Sequence, residues 1–382
     1  MARDTDVEVT VIGAGVVGCA VALALARQQA TVALLEAEPE PALGASGTNS
    51  GILHTGFNST PGELETDLIL ASSALREPLL RALGVPVLRC GALMQPLDAS
   101  QRAAVPAVAA VARQNGVAVV EREDGVLEIP GEAVTDPVVY TLALAAEAGR
   151  HGAELHTRCR VDSIERDGTG LRLQSRCGVT VRSRVAVNCA GLEADSVARL
   201  ARDQSFSIYP RKGEFLVFDP PASEPLDQIL LPVPTTRTRG VLVFPTIDGK
   251  VVAGPTAVDL EDKRDWSVRE RARDELIPKA AALYPPLAGA EAVFAYAGLR
   301  PAGHGVNYLI RSATSCPQLV HVAAIRSTGL TASLGIAQRV AEIVRSLGVP
   351  LGPERPLIGG PNRKLSGPWW RRTADYRVAV RA

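Results

Sequence analysis

Three glycines and one carboxylate carry the clearest chemistry in this chain. Gly13, Gly15 and Gly18 stand in Gly13-Ala14-Gly15-Val16-Val17-Gly18, directly after the apolar run Val9-Thr10-Val11-Ile12, and Glu36 closes the next apolar run. The spacing suits a dinucleotide. Gly13 permits a tight turn, Gly15 lets a pyrophosphate approach the backbone, and Gly18 lets the following helix pack closely on the strand. Val16 and Val17 open that helix, whose N-terminus receives the phosphate. A carboxylate at Glu36 can accept from the hydroxyls of an adenosine ribose and disfavours a 2′-phosphate. NAD and FAD both satisfy this unit.

The run Gly44-Ala45-Ser46-Gly47-Thr48-Asn49-Ser50-Gly51-Ile52-Leu53-His54-Thr55-Gly56 follows closely. It cannot make a long regular helix. Its glycines suit a backbone pressed against a planar cofactor, with Ser46, Thr48 and Asn49 available to phosphate and ribityl oxygens. Within it, His54 offers an imidazole, a base suited to neutral pH. Far along the chain, Arg300 offers a planar fork that can hold a carboxylate or phosphate through paired charge-assisted bonds. Lys212 is a further candidate for the substrate side, although a solvated pair with Arg211 explains it equally well. Arg237 and Arg239 sit on a turn that can supply a second anion contact or simply face water, and His304 reads as a loop residue just beyond Arg300.

These residues need elements to position them. A helix is expected over 16–28 and a strand over 31–35. A helix over 136–149 precedes a strand over 154–161. A strand over 181–189 ends in Asn188-Cys189-Ala190-Gly191-Leu192, and one over 319–324 leads into Ser327-Thr328-Gly329-Leu330-Thr331 and a helix running to about residue 347. Each places a small-residue turn at the C-terminal end of a strand, where open α/β sheets bind ligands. The expected fold class is α/β, α+β overall. A Rossmann-like cofactor domain built from 1–74, 133–208 and 292–349 is interleaved with a mixed-sheet substrate domain from 75–132 and 209–291. Residues 350–382 form a tail.

Composition bounds the remaining options. With 382 residues, 46% hydrophobic and 21% charged, the chain has ample material for a large core. Its 41 Lys+Arg balance 41 Asp+Glu, so no net field recruits nucleic acid or an anionic membrane. The longest uncharged apolar stretch, 16–26, is too short to span a bilayer. Arg3, Asp4 and Asp6 do not read as a signal peptide, and a cytoplasmic location is expected. The tail's Pro368-Trp369-Trp370-Arg371-Arg372 either docks on its own domain or makes a peripheral contact with the inner face of a membrane. Six cysteines without CxxC spacing imply no metal or iron-sulfur site, and reduced thiols without disulfides are expected.

Taken in order, the N-terminal fingerprint, residues 44–56, Asn188-Cys189-Ala190-Gly191, Pro210-Arg211-Lys212-Gly213-Glu214, Gly254-Pro255-Thr256-Ala257-Val258-Asp259, Gly298-Leu299-Arg300-Pro301 and Ser327-Thr328-Gly329-Leu330-Thr331 form a more specific pattern. Nearly the whole chain resembles FAD-dependent oxidoreductases of the D-amino-acid-oxidase superfamily. Within it, type 2 glycerol-3-phosphate dehydrogenases or oxidases are nearest, with L-2-hydroxyglutarate dehydrogenases close by. The resemblance implies extended FAD, with Glu36 on the adenosine ribose and Val161 lending backbone contacts to adenine. It implies further cofactor contacts from Ala45, Ser50, Ala190, Gly191, Gly298 and Arg300, with Ser327, Thr328, Gly329, Leu330 and Thr331 near the isoalloxazine end.

By the same resemblance, His54 is the base beside the flavin and Arg300 holds the substrate anion. The implied reaction is oxidation of the CH–OH group of a small anionic alcohol, glycerol 3-phosphate or a 2-hydroxy acid such as L-2-hydroxyglutarate. The alternatives are an amine or amino-acid oxidase or demethylase, and a noncatalytic flavoprotein subunit. Oxygen, a quinone and a protein are all open as electron acceptor. Asn307 stands where relatives often have Asp, and Thr236-Arg237 where they have lysine-rich residues; both positions touch the expected substrate side.

Overall fold

A computed structural model describes residues 3–234, 240–361 and 365–381. Arg237, with Thr236 and Arg239, lies outside the described residues.

The first strand, Arg3–Ile12, is buried on both faces where it crosses the core, Val9 and Val11 on one and Thr10 and Ile12 on the other. Such a strand must be covered on both sides, which parallel sheets with helical crossovers achieve. It pairs in parallel with Val32–Leu35 on one side and Val179–Asn188 on the other. Glu154–His156 and Leu319–Ala323 extend the parallel set, and Val161–Asp167, Gly170–Ser175 and Leu309–Ser312 add antiparallel strands. The helix Val16–Arg27 is apolar nearly all round because it lies between this sheet and the helices Pro137–Arg150 and Gly329–Ser346.

A second, mixed sheet holds strands from 92–95, 120–129, 208–218, 229–259 and 294–303. The strand Phe294–Gly303, expected in the cofactor unit, pairs along its length with Ile208–Phe218 and so belongs to this second sheet. A third, small sheet joins Ile52–Leu53, Ala133–Thr135 and Val87–Leu88.

Two local expectations need correction. The single strand over 154–161 is broken: Arg158 adopts φ +57, and the strand resumes only at Val161. The break lets Arg158 and Cys159 donate backbone N–H groups to the carbonyls of Glu38 and Glu36 at 2.9 and 2.8 Å. It also overturns the expectation of reduced thiols, because Cys159 and Cys177 form a disulfide. The cause is the register of the hairpin: Val161 faces Ser175, so residues two further out on each side also face each other.

The tail ends in a helix, Trp369–Arg381, that docks on the protein. Trp369 and Trp370 are only 2% and 5% exposed, and the Trp370 indole donates to Asp248 at 3.0 Å. The aromatic pair is therefore part of the core rather than available to a membrane. No described helix is long and apolar enough to cross one.

Candidate active site

Residues on or beside the three sheets line a cavity of about 1520 Å³, among them Gly13, Glu36, Val161, His54, Arg300 and Thr256. A pocket for an ordinary small ligand spans roughly 300–1,000 Å³, so this one has room for an extended dinucleotide and a substrate together. Gly13, at φ +100, presses so closely on the neighbouring strand end that an added Cβ would meet the Cys189 carbonyl oxygen at 2.5 Å. Gly18 faces away from the cavity and packs the helix against Gly13. A cradle of this size, with Gly13, Gly15, Gly44, Gly191 and Gly298 in its lining, fits an FAD.

Glu36 stands at the C-terminus of Val32–Leu35. One carboxylate oxygen accepts from the Ala14 N–H at 2.6 Å and the other from the Glu38 N–H at 2.9 Å. Burial raises its pKa, against the lowering effect of those two hydrogen bonds. The segment 38–43 beside it is held by the C-terminal helix. Arg372 pairs with Glu40 at 2.6 Å, Thr373 donates to the Ala42 carbonyl at 3.1 Å, and Arg377 reaches both Glu38 and the Leu43 carbonyl. Arg377 itself lines the cavity.

Ala45, Ser46, Thr48, Asn49 and Ser50 all line the cavity's middle, as do Val16, Val17, Gly15, Ala190, Gly191 and Gly298. The Ser46 hydroxyl accepts the Val16 N–H at 2.9 Å, capping the helix start from a distant residue. Asn49 turns its amide oxygen to the Gly51 N–H.

The small sheet positions His54. Leu53 pairs with Ala133 in antiparallel register, so His54 and Glu132, the next residues outward, lie across from one another. The His54 Nδ1 is 2.9 Å from Glu132 Oε2. Glu132 is fully buried, and its other oxygen accepts from the Thr55 N–H at 2.6 Å and the Thr55 hydroxyl at 2.9 Å. Burial alone would raise the Glu132 carboxyl, but the His54 charge and the hydrogen bonds from His54 and Thr55 hold it below the ordinary range. The His54 side chain is 26% exposed and lines the cavity. No hydrogen bond engages its Nε2 among the described residues.

Across the cavity, Arg211 and Arg300 are direct cross-strand neighbours in antiparallel register. Like charges so placed repel. Arg211 is offset by Asp259 at 2.8 Å, whereas among the described residues Arg300 makes only a 3.5 Å contact to the Thr256 carbonyl. Burial, then the charges of Arg211 and Arg326, push the Arg300 pKa down to about 10. A positive cluster of this kind can hold an anion.

Some sequence candidates lie elsewhere. Lys212 follows Arg211 on a strand, and successive strand residues point to opposite faces. Its side chain is 1% exposed and its amine pairs with Asp265 at 2.7 Å, outside the cavity lining. Lys212 is thus a structural tether rather than a substrate contact. Ser327, Gly329 and Leu330 line the cavity, but Thr328 and Thr331 do not. The Thr328 hydroxyl donates to Glu65 at 2.7 Å, and Thr331 accepts the His54 N–H at 3.1 Å. His304 is exposed beside Tyr209. Asn307 donates to Glu65, which itself reaches the cavity wall.

Residues 8–343 match the DAO family, described as FAD dependent oxidoreductase. A glycerol 3-phosphate dehydrogenase of Caloramator mitchellensis is 28% identical over 356 residues, covering 89% of this chain and 74% of its own. An L-2-hydroxyglutarate dehydrogenase of Escherichia coli (strain K12) is 26% identical over 266 residues, 65% of this chain and 63% of that one. The structure of dithionite-reduced L-α-glycerophosphate oxidase from Mycoplasma pneumoniae with FAD bound has a TM-score of 0.83 at 24% identity, covering 95% of this chain and 97% of that one. With the family match extending over the strand–glycine–helix unit, the glycine-rich run and the Arg300 strand alike, the chain belongs to the DAO family of FAD-dependent oxidoreductases.

Proposed function

We propose that this FAD-dependent enzyme oxidises the CH–OH group of a small anionic alcohol, with glycerol 3-phosphate the first candidate and a 2-hydroxy acid such as L-2-hydroxyglutarate the second. The observation that carries the reading is the joint presence, in one cavity, of an imidazole whose Nε2 has no hydrogen-bond partner and a guanidinium with a single long contact, both among the described residues. Similarity to a glycerol 3-phosphate dehydrogenase and an L-2-hydroxyglutarate dehydrogenase supports an alcohol over an amine.

In this reading Gly13, Gly15, Val16, Val17 and Glu36 hold the adenosine and pyrophosphate, aided by Val161, Ala190 and Gly191. Ala45, Ser46, Thr48, Asn49, Ser50, Gly298, Ser327, Gly329 and Leu330 hold the flavin half. The bound flavin supplies the acceptor for the two electrons and hydrogen leaving the carbinol carbon. Arg300, with Arg211 and Arg326 nearby, binds the substrate's phosphate or carboxylate and so fixes which carbon faces the cofactor. His54 takes the hydroxyl proton on Nε2. The apolar cavity residues Phe215, Leu242 and Phe244 exclude water and strengthen both interactions.

The test is an anaerobic panel of small alcohols, hydroxy acids and amino acids, read by bleaching of the bound flavin. The reading predicts bleaching by an anionic alcohol. Bleaching by an amino acid and by no alcohol would replace it with amine oxidation; an unbleached flavin throughout would favour a noncatalytic role.

A further inference from the structure

We infer that Glu132 is the positioning residue of the proposed base, fixing the His54 tautomer so that its unprotonated nitrogen faces the substrate. The inference rests on the assignment of His54 above and deepens it. An ionised carboxylate only accepts, so at 2.9 Å it keeps the ring hydrogen on Nδ1. Nε2 then carries the lone pair into the cavity. A lone imidazole has no such preference fixed and presents the wrong nitrogen for part of the time.

The surroundings keep Glu132 ionised. Thr55 supplies two donors to its second oxygen. On the helix Leu64–Ala82, the buried Arg76 contacts the His54 carbonyl at 3.3 Å and adds positive charge near Glu132. Tyr140, on Pro137–Arg150, and the exposed Glu77 are the other titratable groups acting on Arg76; burial raises the Tyr140 pKa so that it stays neutral, and the Glu77 carboxylate is held by Arg81 and Arg89. When the substrate O–H bond breaks, its proton moves to Nε2 as the hydrogen on the carbinol carbon leaves with its electron pair and the C=O bond forms. Glu132 stabilises the resulting imidazolium without taking the proton, a division of labour shared with other carboxylate-oriented histidines.

Glu132→Gln tests this with the holoprotein. The Thr55 donors hold the amide oxygen, which turns the NH₂ toward Nδ1 and forces the hydrogen onto Nε2. Nitrogen-15 NMR of the His54 ring, identified by its loss in His54→Ala, should show Nδ1–H in the wild type and Nε2–H in the variant. Flavin reduction should slow by about 10²- to 10⁴-fold with half-saturating substrate within a few-fold of wild type. A wild-type ring protonated on Nε2 overturns the inference even if the variant fails to fold, and so does a variant that reduces its flavin at the wild-type rate. The tautomer is read without substrate, so the inference stands or falls separately from the choice between alcohol and amine.

Discussion

At the scale of single residues, the expected cofactor grip is written in local spacing, whereas the partner of His54 is not. Glu36 and the three glycines form a unit within about two dozen residues, so their joint purpose is visible in the linear order. The pairing of His54 with Glu132 is not: 78 residues separate them, and two strands of two and three residues set their register. Pro130-Gly131-Glu132 carries no motif that marks it. Lys212 was misplaced for a different reason, since sequence shows that a strand alternates but not which face meets the cavity. Arg300→Met should raise the substrate dissociation constant about ten- to a hundred-fold, the loss of a charged hydrogen bond of roughly 1.5–3 kcal/mol. Substrate titration of the flavin spectrum checks this, and an unchanged constant would remove Arg300 from the anion site.

At the scale of elements, strand–turn–helix units were legible because apolar runs and glycine turns repeat in the expected order. The helices Val16–Arg27, Pro137–Arg150 and Gly329–Ser346 lie within a residue or two of where the pattern places them. The C-terminal helix was harder to read because its partners, residues 38–43, stand more than 300 positions away. Its placement gives it a purpose at the cofactor end. Arg377→Ala removes the ion pair to Glu38 and the bonds to the Leu43 carbonyl. The FAD dissociation constant should rise about ten-fold, measured as flavin fluorescence released on dilution, while thermal unfolding of the apoprotein changes little. Retention of FAD at the wild-type constant would show that the segment 38–43 holds itself.

At the scale of the whole molecule, each sheet supplies one part of the cavity wall: the parallel sheet Ile12 and Glu36 at its strand ends, the mixed sheet Arg211 and Arg300, and the small sheet the proposed base His54, which Glu132 holds. Long-range polar ties hold the parts together, and some respond to acid. Burial alone would raise the Asp203 carboxyl, but hydrogen bonds from Ser205 and Thr314 and the charge of His321 hold it at about 2. Its folded value lies below the unfolded one. The stability it contributes is therefore complete above about pH 4 and disappears as pH falls through about 2. Asp203→Asn should flatten the acid side of the melting-temperature profile; an unchanged slope would assign acid lability to other carboxylates. The disulfide was hidden because it depends on hairpin register. Titration of the denatured chain should find four free thiols before reduction and all six after.

Stopped-flow reduction by glycerol 3-phosphate deuterated on the secondary carbinol carbon, under anaerobic conditions, tests the central claim most directly. The wild-type flavin should bleach, deuterium should slow the bleaching, and His54→Ala should keep its FAD while reducing it about 10²- to 10⁴-fold more slowly. Bleaching that is indifferent to both the deuterium and His54 would contradict it.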